Sequence, residues 1–166
     1  MPTLCLSGII KNSGFIKRPG SYAVVVSLVA YIGTNNTANY RDLTQIVLGF
    51  TTKKLEKIYK IYPISLESDF YQDLEIICGD ESYLEEDFNT FSILGKQVTL
   101  DVVINNDQGR SYTVIDEIYP LTTPFEAKNI KLVKFSHDYI DELNDILQWI
   151  CKFIKSSKEW KMKYPV

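Results

Sequence analysis

The stretch Leu94 to Leu121, LGKQVTLDVVINNDQGRSYTVIDEIYPL, reads as one β-hairpin and decides the fold class. Side chains along a strand point alternately to opposite faces. On the outgoing arm Val98, Leu100, Val102 and Ile104 therefore share one face, while Gln97, Thr99, Asp101 and Val103 share the other. One face is built for burial. Asn105, Asn106, Asp107 and Gly109 tolerate positive φ or bond to nearby backbone, as a reversal between antiparallel strands requires. The return arm starts near Arg110, where Tyr112, Val114 and Ile118 alternate against Ser111, Thr113 and Glu117, with Ile115 and Asp116 breaking the pattern. A mainly β, α+β architecture follows.

Upstream, Ser21 to Val29 is apolar on both faces and predicts a well-covered strand, entered through a turn at Arg18, Pro19 and Gly20. Thr3 to Ile10 predicts a further short strand. Gly33 to Asn39 is dense in Gly, Asn and Thr and predicts a loop, after which Arg41 to Phe50 resumes β character. At Thr52 the period changes. Leu55, Ile58, Tyr59 and Tyr62 recur at three- and four-residue intervals, predicting a short helix over Lys53 to Ile61, capped by Thr52 and stopped at Pro63. Leu66, Phe70, Leu74 and Ile77 keep helical spacing until Gly79, so a helical insertion over about 53–78 is expected. An acidic loop, Asp80 to Asp87, and a brief turn carrying Phe88, Phe91 and Leu94 lead into the hairpin. At the carboxyl end Ile140, Leu143, Leu147, Ile150 and Ile154 form an apolar helical stripe behind a Ser136 cap, with acids early and lysines late, as the helix dipole favours. Residues 1–128 are thus expected to form one β unit with its insertion, and 129–166 a helix docked on the same domain.

Composition narrows the class further. No apolar run approaches the ~20 residues needed to span a bilayer. The start, MPTLCLSGIIKNSG, has no basic segment ahead of an apolar core. A soluble, cytoplasmic protein with no membrane contact is expected. Cys5, Cys78 and Cys151 lie far apart and leave one unpaired in any disulfide scheme, which favours small buried hydrophobes. His137 is the one histidine and there is no CxxC, so no metal site is expected. Charge is uneven: Met1 to Tyr62 holds eight Lys/Arg against two Asp/Glu, whereas Leu66 to Asp107 sets Lys96 alone against eleven acids. The first block suits a polyanion and the second repels one, unless each is simply a solvated surface.

Strands, a helical interruption and a closing hairpin are compatible with a five-stranded OB-like Greek-key barrel whose helix lies between strands 3 and 4. Residues Pro19, Gly20 and Tyr22, followed much later by Leu94, Gly95, Lys96, the Val98 to Ile104 alternation, Gly109, Tyr112, Ile115, Ile118 and Pro120, resemble phage- and plasmid-borne OB-fold single-stranded DNA-binding proteins. The matching positions cover about a third of the chain. The resemblance implies a protein of DNA replication or recombination in a mobile element, with single-stranded DNA, or RNA, as its ligand.

Such a ligand offers a line of phosphates and exposed base faces, so its binder needs Lys/Arg along a groove and aromatic stacking platforms. The candidates are Lys11, Lys17, Arg18, Tyr31, Tyr40, Arg41, Lys53, Lys54, Arg110 and Tyr112, while Tyr22 and Phe50 fall on apolar faces and are expected in the core. No nucleophile motif, phosphate loop or second histidine supports catalysis, so neither an enzyme nor a cofactor is expected. The alternative is a phage- or plasmid-encoded protein-interaction module or inhibitor, acting on a protein partner through its acidic surface or its carboxyl-terminal helix. Homo-oligomerisation through that helix stays open.

Overall fold

Strand β1 (Gly20–Thr34), GSYAVVVSLVAYIGT, runs through the middle of the molecule. The computed structural model describes residues 14–34, 44–65, 68–137 and 146–164. Seven of its consecutive residues, 24–30, are buried, because both faces of the strand are covered. On one edge β1 pairs antiparallel with β2 (Thr44–Thr52), which in turn pairs with β3 (Lys57–Pro63). On the other edge Gly20–Val25 pairs antiparallel with β4 (Gln97–Asp107), the first arm of the hairpin completed by β5 (Arg110–Pro120). Where β4 ends its pairing, β6 (Val133–Phe135) takes over that edge in parallel, opposite Leu28–Ala30. The backbone groups in the middle of β1, Val24–Val26 and Leu28–Ala30, thus find partners on both sides.

A bulge at Ser27 explains why the strand is apolar all round. Val26 lies opposite Phe50 but Leu28 lies opposite Gly49, so one extra residue is inserted and side-chain parity flips. Before the bulge Val24 and Val26 enter the main core; after it Val29 does, while Leu28, Ala30 and Ile32 turn to a second core. The Ser27 hydroxyl is satisfied by Thr51 Oγ1 at 2.7 Å.

Beside the β1 valines, the main core gathers Phe50, Ile58, Tyr62, Leu100, Val102, Ile115 and Ile118 from β2–β5, Phe70 and Leu74 from α1 (Phe70–Cys78), and Ile16 from the segment before β1. α1 is the expected helix. Gly79 closes it in the left-handed conformation, its N–H donating to Glu75 O. The second core is covered by α2 (Gln148–Ser156), whose Ile150 and Ile154 are fully buried on Ala30, Ile32 and Phe135, with α3 (Lys158–Lys163) following.

Several expectations need correction. Lys53 to Ile61 is not a helix: Thr52 N donates to Glu56 O and Glu56 N donates to Thr52 Oγ1, which closes a turn, and β3 follows. The apolar residues Ile58 and Tyr62 face the main core while Tyr59 and Ile61 face the second, so tertiary burial on two sides overrides the local helical spacing. The helical part of the insertion over 53–78 is therefore α1 alone among the described residues. The sheet has six strands instead of five among the described residues, in the order β3-β2-β1-β4-β5 with β6 on β1, and no hydrogen-bonded ladder closes it between β3 and β5. Ser136 does not cap a helix reaching Ile154; the described helix starts at Gln148. Residues Thr3 to Ile10, Ile140 and Leu143 lie outside the described residues.

The hairpin forms as expected, but Asn105, Asn106 and Asp107, expected in the reversal, continue the strand and pair with Tyr112, Ser111 and Arg110; its irregularity also has a cause. Asp101 lies opposite Glu117 but Val102 opposite Ile115, so Asp116 is bulged out and Ile115 and Ile118 both reach the core. Gln108 and Gly109 hold φ of 50° and 80°, a two-residue reversal with both central residues left-handed.

Two stability predictions follow. Leu28 and Tyr59 close over Gly49 so tightly that a Cβ there would lie 2.8 Å from Leu28 Cβ and 2.9 Å from Tyr59 Cε1. Gly49→Ala is expected to lose ~1–3 kcal/mol by overpacking and Phe50→Ala ~3–5 kcal/mol by cavity formation, read as shifts of the urea midpoint at constant m-value. The second concerns pH. Burial pushes the Tyr59 phenol up to about 12 from 10.0. Tyr62, whose OH donates to Asp73 Oδ2 at 2.6 Å, is raised further by burial and by the Asp73 charge. The folded state then holds protons that the unfolded chain releases near 10, so stability is full below pH 10 and falls as pH climbs from there towards 12. Alkaline absorbance titration should show some tyrosines ionising only as the protein unfolds; simultaneous titration of all tyrosines near pH 10 in a folded protein would contradict it.

Candidate nucleic-acid interface

The edge strands β3 and β5 are bridged by the segment Gly14–Lys17. Lys57 N donates to Gly14 O at 2.6 Å and Ile16 N to Lys57 O at 2.9 Å, a short parallel bridge to β3. From the other side Thr113 Oγ1 on β5 donates to Ile16 O at 2.6 Å. Ile16 is buried in the main core, so its neighbours Phe15 and Lys17 fall on the outer side of this extended segment.

Between that segment and the hairpin lies a cleft of about 390 Å³, lined by Phe15, Lys17, Ile104, Ser111, Tyr112 and Thr113. By the strand register Ile104, Ser111 and Thr113 stand on the hairpin's inner face, whereas Tyr112, opposite Asn105, stands on its outer face at the rim of the cleft. The hairpin extends beyond the main core here, which leaves Ile104 47% exposed although it continues the buried face of Val98, Leu100 and Val102. Tyr112 is 44% exposed, with Asn105 Nδ2 donating to its hydroxyl at 3.3 Å. Ser111 Oγ donates to Asn106 Oδ1 at 2.6 Å, and Arg110 stands exposed at the tip. The cleft thus combines a cation, uncovered apolar surface and hydroxyls, the residue types that hold a phosphate and a flat base.

Of the residues singled out in the sequence, Lys17 and Tyr112 both border this cleft and Arg110 lies on the same hairpin. Arg18 is exposed beside Lys17, its carbonyl accepting the Tyr22 hydroxyl at 2.7 Å. Lys53 and Lys54 are exposed in the β2–β3 turn, outside the cleft. Tyr31 is not part of it either: it is half-buried against the main core and meets Phe91 edge-on at 5.6 Å. Lys11, Tyr40 and Arg41 lie outside the described residues. Phe50 is fully buried, as expected, and Tyr22 is half-buried. Phe15, Ile104, Ser111 and Thr113 also line the cleft and were missed. Phe15 sits in a short stretch with no periodic signal, and Ile104 matches the core pattern in every respect except its distance from the core.

The acidic block is partly consumed internally. Lys60 Nζ binds Asp69 at 2.6 Å and Asp73 at 3.3 Å, Asp101 accepts from Ser21, and Glu75 accepts from Tyr83. Glu81, Glu85, Glu86 and Asp87 remain exposed. No cluster of His, Cys, Asp and Glu suited to a metal occurs among the described residues. Cys78 and Cys151 are half-buried, and burial pushes the Cys151 thiol up. No described helix is long and apolar enough to cross a membrane. No protein-family model matches the chain and no curated protein matches it in sequence.

Thr113 tests whether the bridging segment depends on β5. Thr113→Val removes the donor to Ile16 O at nearly constant shape and is expected to cost ~1 kcal/mol, with faster amide exchange at Ile16 and Lys57. Unchanged exchange at both amides would show that the bridge does not need this bond.

Proposed function

We propose that this chain is a non-catalytic single-stranded DNA-binding protein with an OB-like barrel, serving replication or recombination of a mobile element. The cleft between Phe15–Lys17 and the β4–β5 hairpin carries this proposal: it is bordered by Lys17 and by the exposed Tyr112, with Arg110 at the hairpin tip. The strand order β3-β2-β1-β4-β5 with α1 between β3 and β4 agrees with an OB arrangement, the bridging segment standing where β3 and β5 would otherwise close. In that arrangement the β4–β5 loop borders the ligand face.

Binding is then driven by phosphate neutralisation and base stacking. In an anisotropy titration with a labelled oligothymidylate, Tyr112→Ala should weaken binding by ~1–3 kcal/mol. Lys17→Ala and Arg110→Ala should each lower the slope of log K against log salt by about one. Absence of any anisotropy change at low salt with micromolar protein would remove the proposal.

A second proposal, a protein-interaction module, is favoured by one observation: Glu81, Glu85, Glu86 and Asp87 are exposed acids within one short segment between α1 and the hairpin. A stoichiometric protein partner kept after nuclease treatment, and lost when these four are replaced by Gln or Asn, would support it.

A further inference from the structure

Leu55, in the turn between β2 and β3, holds φ of 69°, a left-handed conformation in which residues other than glycine and asparagine are strained. Burial does not compensate for that strain, since Leu55 is 48% exposed. It stands instead at a groove of about 440 Å³, walled by Phe15, Leu28 and Tyr59, with Lys57 and Lys131 among its lining residues. Ser27 and Thr51 also line it, and their mutually bonded hydroxyls leave acceptor capacity for an N–H group. Phe15 lines both this groove and the hairpin cleft. Beyond Leu55 a smaller recess is lined by Lys53 and Lys128.

We infer that this groove is a second base subsite, in which Leu55 and the Phe15–Tyr59 pair, 6.1 Å between ring centroids, cover an unstacked base of the strand held at the hairpin cleft. The inference rests on the nucleic-acid function proposed above and adds the route of the ligand. The phosphates pass from Lys17 across the bridging segment to Lys57 and Lys53, crossing the seam between β5 and β3. An apolar, ring-flanked slot with hydroxyls inside and ammonium groups around it suits a base carried on a phosphate backbone.

The test is a cycle of Leu55→Gly against removal of the bases. Glycine relieves the positive φ, so Leu55→Gly should keep or raise the thermal midpoint while removing the contact. It is expected to bind a labelled oligothymidylate about tenfold more weakly than the wild type, and its loss of affinity for the fully abasic counterpart should be about tenfold smaller. Leu55→Asn, which also tolerates this φ, should behave alike. If Lys17→Ala weakens binding but Leu55→Gly does not, or if its loss adds independently to that of base removal, the subsite is wrong and the nucleic-acid function stands. If the wild type binds no oligonucleotide, both fall.

Discussion

The residue inserted at Ser27 is the constraint on which the rest of the molecule depends. A regular strand offers one set of side chains to each side for its whole length, and β1 could then serve one core along all of it. Because the bulge switches parity, the first half of β1 fills the space enclosed by β2–β5, and the second half offers Leu28, Ala30 and Ile32 to the opposite side. The carboxyl-terminal elements have an apolar surface to cover for that reason. Glu159 secures α3 there: its carboxylate accepts from Thr34 N at 2.7 Å and Thr34 Oγ1 at 2.8 Å. Burial opposes its ionisation, yet these bonds hold its pKa below the usual carboxylate value.

The same arrangement sets where a ligand meets the surface. The two ends of the sheet approach without pairing, and the segment around Ile16 fills the interval, satisfying β3 through its backbone and β5 through Thr113. Ile16 is held inside, so Phe15 and Lys17 are placed outside on a short, doubly anchored piece of chain. Anchoring matters for recognition, since a side chain on a fixed backbone loses less entropy on binding than one on a free tail.

Charge within the molecule divides into structural and exposed sets. Lys60 lies on the core side of β3 and is engaged by Asp69 and Asp73, with Tyr62 donating to the same Asp73 carboxylate. These groups link β3 to α1. The lysines of the bridging segment and of the β2–β3 turn project away from the core and face the solvent.

The hairpin from Leu94 to Leu121 was legible in the sequence because its period-two alternation and its reversal are local properties. So was α1, marked by its spacing and by Gly79 at its end. β3 was not. Its residues Ile58, Tyr59, Ile61 and Tyr62 match a helical spacing as well as a two-sided strand, and only the presence of a core on each side decides between them. β6 is three residues long and gains its identity from the edge of β1 that β4 leaves open. The types of residue needed at a basic, aromatic site were readable in the chain, Lys17 and Tyr112 among them. Their convergence with Phe15 and Ile104 was decided by tertiary structure, because which cations and rings share a cleft depends on how the two ends of a bent sheet meet, a long-range property that no local pattern encodes.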